Sequence, residues 1–312
     1  MAAVDVRIYE VGPRDGLQAE PTIVTTDAKR HFIEMLALAG LMEIEATSFV
    51  SPKAIPQLAD AEELLASLER RPGVRYPVLV PNRRGFERAV ASDVDAICLF
   101  TAATDAYAEH NIGMTVDASL GSFAPLAAEA RSRGWWIRGY VSTAFGCPYE
   151  GEVDERAVVS VSERLLSLGV DQLAISDTVG MAAPSDVRRV VGALYAAGIS
   201  PDVVALHLHD TRGTALANVI AAMEMEVRTF DASTGGTGGS PFAPGAAGNL
   251  ATEDLVYLLD REGLRHGVDL DRVLEAARYV HEALGTPVRS KVGVAGGWLP
   301  AAHDGAAADD DR

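Results

Sequence analysis

Cysteine is nearly absent: Cys98 and Cys147 are the only two in 312 residues. That is no disulfide framework, and it fits a reducing cytoplasm. Positive charge is also scarce, with 27 Lys and Arg against 44 Asp and Glu and a formal net charge of −17. Such a balance argues against nucleic acid and against anionic membrane surfaces as partners. A local cluster of cations could still hold a phosphorylated small ligand. Long hydrophobic runs are missing, so no membrane span is expected. The opening "MAAVDVRIYE" lacks the basic-then-apolar pattern of a secretion signal.

What remains is ordinary for a globular chain: 48% hydrophobic and 23% charged residues. With no break in composition, residues 1–300 read as one domain, and 301–312 read as a frayed acidic tail. Glycine is the exception. It crowds into "GGTGGSPFAPGAAGNLATED" (235–254), a costly stretch to order because glycine loses the most backbone freedom on folding. Such a segment is a linker, a backbone cradle or a lid.

Short β-branched apolar runs alternate with segments of helical period. The runs are "VRIYEV" (6–11), "MEIEAT" (42–47), "YPVLV" (76–80), "DAICLF" (95–100), "WIRGYVST" (136–143), "DQLAIS" (171–176), "VVALHLH" (203–209) and "VRTFDAS" (227–233). They lack clean alternation, as parallel strands covered on both faces do. Helix candidates between them end on glycine, as in "TTDAKRHFIEMLALAG", with Thr26 or Asp27 as cap and Gly40 as stop. Eight such units over roughly 250 residues predict a (β/α)8 TIM barrel, α/β in class. An extra C-terminal helical segment follows from about residue 265. The rival, a doubly wound open sheet, usually carries G-x-G-x-x-G after its first strand, and "EVGPRDG" is not that.

Barrel chemistry sits at the carboxyl ends of the strands. Arg14 and Asp15 follow strand one, in a stretch that also reads as plain turn chemistry. Glu45 lies inside strand two, where a carboxylate must be paired or bind metal; Glu43 shares its parity but lies nearer solvent. Asp177 ends strand six, or merely shapes a turn. His207 and His209, two apart, face one side of strand seven as metal ligands or as satisfied core histidines. Asn249 precedes a helix and could simply cap it. Together they fall at one end of the barrel. Asp15, His207, His209 and Asn249 make a mixed oxygen and nitrogen set suited to Mg²⁺ or Mn²⁺.

These motifs also carry a likeness. "VGPRDGLQ", "IEATSFVSPK", "GCPYEG", "SDTVG", "HLHDTRG" and "GNLATEDLVYLL" resemble the series found in 3-hydroxy-3-methylglutaryl-CoA lyases, from about residue 5 to about 295. The resemblance implies a metal held by Asp15, His207, His209 and Asn249. It implies that Arg14 stabilises a thioester enolate, that Glu45 and Asp177 are active-site carboxylates, and that His207 shares in acid/base work. It sets Gly239 and Ser240 beside Arg14 against an acyl-CoA substrate, in a homodimer, with the glycine-rich loop as a lid. Ser240 stands where the family carries a catalytic cysteine. A hydroxyl is a poorer proton-transfer group than a thiol. A related ester such as citramalyl-CoA, a Claisen-type synthase, or a weak acyl-CoA binder therefore stay open. Cys147 is a replacement thiol or a packed turn residue, and Arg83 and Arg84 meet CoA phosphates or solvent.

Overall fold

The computed structural model describes residues 4–239, 245 and 247–297; Ser240 and the tail 301–312 lie outside them. All strands are parallel: β1 (Arg7–Glu10), β2 (Glu43–Ile44), β3 (Thr47–Ser48), β4 (Val78–Leu79), β5 (Ala96–Ala102), β6 (Trp136–Ser142), β7 (Gln172–Asp177), β8 (Val204–Leu208) and β9 (Thr229–Ala232). β2 and β3 are two halves of one barrel strand. The first half pairs with β1 and the second with β4. At the junction Glu45 N–H donates to Glu10 O at 2.8 Å and Ala46 N–H to Pro77 O at 2.9 Å. The ring therefore closes through residues 43–48, and the nine segments are the eight strands of a (β/α)8 barrel.

Helices cover the outside: α1 (Thr26–Leu38), α2 (Ala61–Ser67), α3 (Arg83–Ala91), α4 (Asp105–Ile112), α5 (Val116–Ser132), α6 (Glu155–Ser167), α7 (Pro184–Ala196), α8 (Ala215–Glu224), α9 (Thr252–Arg261), α10 (Leu270–Leu284) and α11 (Lys291–Ala295). Asp154 caps α6 by accepting Arg156 N–H. The cap of α1 is Thr25, whose hydroxyl accepts Ala28 N–H, one residue before the expected Thr26 or Asp27. The expected C-terminal extension is α10 and α11. α10 packs on α1.

The core has two layers. A large apolar shell lies between strands and helices. A smaller cluster of Tyr9, Val11, Leu79, Cys98, Tyr140 and Ala174 fills the barrel interior. Alternation along β6 shows why. Ile137, Gly139 and Val141 face the helices, and a Cβ at Gly139 would sit 3.1 Å from Leu165 Cδ1. Arg138 and Tyr140 face inward with Tyr9. Trp136 packs with Tyr9 and Arg75 at the amino end, away from the strand ends that matter below.

Candidate metal centre and active site

β1 ends in a π-helical turn, Gly12–Gly16, that projects Arg14 and Asp15 over the barrel mouth. Glu10 holds this turn to the far end of the ring. It accepts Gly12 N–H at 2.8 Å, the Thr234 hydroxyl at 2.7 Å and the Thr252 hydroxyl at 2.7 Å. Burial raises its pKa against those hydrogen bonds. Gly16 must be glycine, because a Cβ there would lie 2.7 Å from Ser233 Oγ.

Arg14 is fixed from two sides. Its Nε donates to Glu45 Oε1 at 2.5 Å and its NH1 to Asp15 Oδ1 at 2.5 Å. Glu45, fully buried at the junction of β2 and β3, also accepts the hydroxyls of Tyr9 at 3.0 Å and Tyr140 at 2.5 Å. Glu45 thus acts through Arg14. Burial works to raise the pKa of Asp15, but the charge of Arg14 leads the opposing interactions, with a hydrogen bond from Asn249 among them, and they lower it to about 2. Asp15 is therefore an anion throughout the neutral range.

His207 and His209 project from the end of β8, their Nε2 atoms 3.2 Å apart. His207 Nδ1 lies 3.1 Å from Asp231 Oδ2. Burial and the neighbouring His207 lower the His209 pKa to about 3, against Asp15, so its ring is neutral. Asn249 is tied to this strand by a bridge to His209, and its Nδ2 donates to Asp15 Oδ2 at 2.9 Å.

These atoms fit a cation. The ligand atoms of Asp15, His207 and His209 lie within 4.8 Å of one another. Asn249 Oδ1 and His209 Nδ1 are buried with no partner among the described residues. Two imidazole nitrogens at 3.2 Å also need a proton or a cation between their lone pairs. A donor set of one carboxylate, two imidazoles and an amide oxygen, without thiolate, suits a divalent ion.

Arg14, Asp15, Tyr140, His207, His209 and Gly239 line one cavity of about 570 Å³. Asn249 stands behind Asp15 and Glu45 behind Arg14. Asp177 is turned aside. β7 pairs Ser176 with His207 and Asp177 with Leu208, so Asp177 faces away from the barrel interior. Its carboxylate accepts Met181 N–H at 2.9 Å and Ala182 N–H at 3.1 Å. Burial raises its pKa against these bonds. Cys147 is buried and accepts the Thr104 hydroxyl at 3.2 Å, a packed residue of the turn before α6. Arg83 pairs with Glu87 and Glu129 on an exposed helix face.

Sequence reasoning missed Arg138, Asp231, Tyr9 and Tyr140. For Arg138 and Asp231 the available signal was a charge within an apolar strand, the signal that singled out Glu45. It also missed Thr143, a β-branched residue at φ 55° just past β6. Its N–H donates to the hydroxyl of Thr178, which lines the cavity.

Fold and site together define a (β/α)8 barrel with a candidate metal site at the carboxyl ends of its strands. The chain belongs to the HMGL-like family, whose model matches residues 5–280. It is 45% identical over 287 residues to the cytoplasmic 3-hydroxy-3-methylglutaryl-CoA lyase of Rattus norvegicus, covering 92% of this chain and 83% of the relative. It is 45% identical over 287 residues to the mitochondrial hydroxymethylglutaryl-CoA lyase of Bos taurus, covering 92% and 88%. The fold matches an HMG-CoA lyase from Acinetobacter baumannii, solved with coenzyme A and 3-methylmalate, with a TM-score of 0.90 and 41% identity over 96% of this chain and 99% of that one.

Proposed function

We propose that this chain is a metal-dependent carbon–carbon lyase that cleaves 3-hydroxy-3-methylglutaryl-CoA to acetyl-CoA and a keto acid. The observation that carries the reading is the Asp15, His207 and His209 cluster opening into the same cavity as Arg14. Cleavage requires three things. The tertiary hydroxyl must lose its proton, the C–C bonding pair must move onto the thioester, and the new carbanion must gain a proton. When bound by Asp15, His207, His209 and Asn249, a divalent ion, Mg²⁺ or Mn²⁺, supplies Lewis-acid chemistry that lowers the hydroxyl pKa. Arg14, held by Glu45, sets fixed positive charge where the enolate develops. Asp177 shapes the turn that presents Thr178 to the cavity. His207 would hold the cation through one ring nitrogen, and an acid/base role for it belongs to the same reading. Gly239 lines the cavity at the head of the loop that carries Ser240, where the last proton would be handled. The coenzyme A complex of the Acinetobacter relative supports an acyl-CoA substrate.

Serine in place of the family's cysteine favours one second reading: a related 3-hydroxy acyl-CoA, such as citramalyl-CoA, is the better substrate. Chromatography of acetyl-CoA formed from each ester, with and without Mg²⁺ or Mn²⁺, tests both readings. Metal-dependent cleavage of the methylglutaryl ester supports the first. Failure on every ester with metal bound refutes lyase activity. Two buried free cysteines support a reducing compartment such as the cytoplasm, and no helix among the described residues is long and apolar enough to cross a membrane. Residues 1–300 as one domain and a homodimeric assembly belong to the same reading, and sedimentation equilibrium tests the latter.

A further inference from the structure

Beneath the cavity, inside the barrel, lies a charged column. Arg138 is fully buried, and its NH2 donates to Asp231 Oδ1 at 2.5 Å. Its guanidinium carbon sits 3.6 Å over the Tyr9 ring, which leaves it no room to swing away. Asp231, also buried, turns its other oxygen, Oδ2, to His207 Nδ1 at 3.1 Å. We infer that Arg138 and Asp231 are positioning residues that lock His207 in the Nδ1–H tautomer, so that Nε2 stays bare toward the Asp15 and His209 ligand atoms.

The argument rests on donor and acceptor bookkeeping. A guanidinium only donates and an ionised carboxylate only accepts. With Arg138 fixed on Oδ1, the Oδ2 atom can only accept, so His207 Nδ1 must carry the proton, and in the neutral ring Nε2 is then the bare nitrogen. Partners of this kind orient a metal-binding imidazole and set its tautomer. A neutral amide in place of Asp231 would behave differently. Arg138 still demands an acceptor, so the carbonyl of Asp231→Asn would face Arg138 and the NH₂ would face His207. Nδ1 would then accept, and the ring proton would move to Nε2, closing the lone pair to any cation. Removing Arg138 as well would free the amide to rotate and return its carbonyl to Nδ1–H.

The metal consequence rests on the cation reading above; the tautomer does not, and the test separates them. Ring ¹⁵N NMR of His207 in metal-free protein at alkaline pH should show Nδ1–H in the wild type. Asp231→Asn should show Nε2–H, and Arg138→Met/Asp231→Asn should show Nδ1–H again. Mn²⁺ titration by EPR should show binding weakened about 10- to 100-fold in Asp231→Asn and regained in the double variant. Affinity alone would follow from charge; the tautomer exchange would not. Nε2–H in the wild type, or Nδ1–H kept in Asp231→Asn, overturns the inference. The wild-type spectrum decides the matter even if the variants misfold. A wild type with Nδ1–H but no Mn²⁺ binding would remove the cation reading and leave the lock in place.

Discussion

Glu253 is the first side chain to change. It sits in the first turn of α9, fully buried. Its Oε2 accepts Gly235 N–H at 3.0 Å and its Oε1 the Ser290 hydroxyl. Burial raises its pKa from 4.5 to about 7, against the bonds from Ser290 and Gly235, with Asp254 adding to the rise. Between those two values the unfolded chain has lost the proton and the native state keeps it, so stability falls as pH rises. Below the lower value both states are neutral and the effect vanishes; above the higher it is complete. At 1.36 kcal/mol per unit the full span is about 3 kcal/mol. Between about pH 5.5 and about pH 8.5, clear of the acid range where so anionic a chain nears neutrality, the change is about 2 kcal/mol. Glu253→Gln keeps an acceptor for Gly235 and a polar partner for Ser290 but cannot ionise. The variant should be more stable than wild type at the alkaline end, and its advantage should shrink by about 2 kcal/mol at the acid end. Urea unfolding of both proteins at the two pH values measures this. A wild-type-minus-variant difference that does not change with pH would refute the account.

Four other outcomes follow from the same structure. His209→Ala should lose Mn²⁺ binding and turnover together; full activity in that variant would remove His209 from the ligand set. Glu45→Gln removes the buried counter-charge of Arg14, a kind of break that costs about 3–5 kcal/mol. An unchanged urea midpoint would show that Asp15 alone suffices for Arg14. Ser240→Cys should raise turnover on the methylglutaryl ester, and no change would take Ser240 out of the proton path. Both cysteines are buried, and burial pushes the Cys98 thiol well above its ordinary pKa. A thiol reagent should therefore label neither in the native state and both in urea; rapid labelling of the native protein would contradict the packing.

The eight strands were legible because each is an apolar run bounded by polar or glycine residues, and burial on both faces makes such runs unmistakable. Strand ends then located Arg14, Asp15, His207 and His209 without knowledge of contacts, while Asn249 was read from the far end of the glycine-rich stretch, before α9. Parity would have placed Asp177 too, since Ser176 and Thr178 share the inward face and leave it outside. The pairing of Arg138 with Asp231 was not legible. The two lie 93 positions apart on strands that never pair, and only closure of the ring brings them together across its interior. The split of strand two is a product of closure as well, since its halves face different neighbours.

Closure also changes what the glycine-rich stretch means. From the sequence its glycines suggest a lid that moves, but the described flanks are pinned. Gly239 pairs with Ala247, and a Cβ on Gly248 would lie 2.6 Å from Gly239 O and 2.7 Å from Gly238 O. Gly238, at φ 92°, brings its backbone so close that a Cβ there would sit 2.9 Å from Asn249 Nδ2. Its N–H is held by Glu20, which Arg289 grips in turn. Gly235 is fixed by Glu253 below and by His281 of α10, whose Nε2 lies 2.9 Å from its carbonyl oxygen. At these positions glycine serves close approach, not motion: two backbone segments must nearly touch so that Asn249 can reach Asp15. The C-terminal segment, read from sequence as an extra piece after the barrel, supplies two of the side chains that hold this contact, His281 and Arg289.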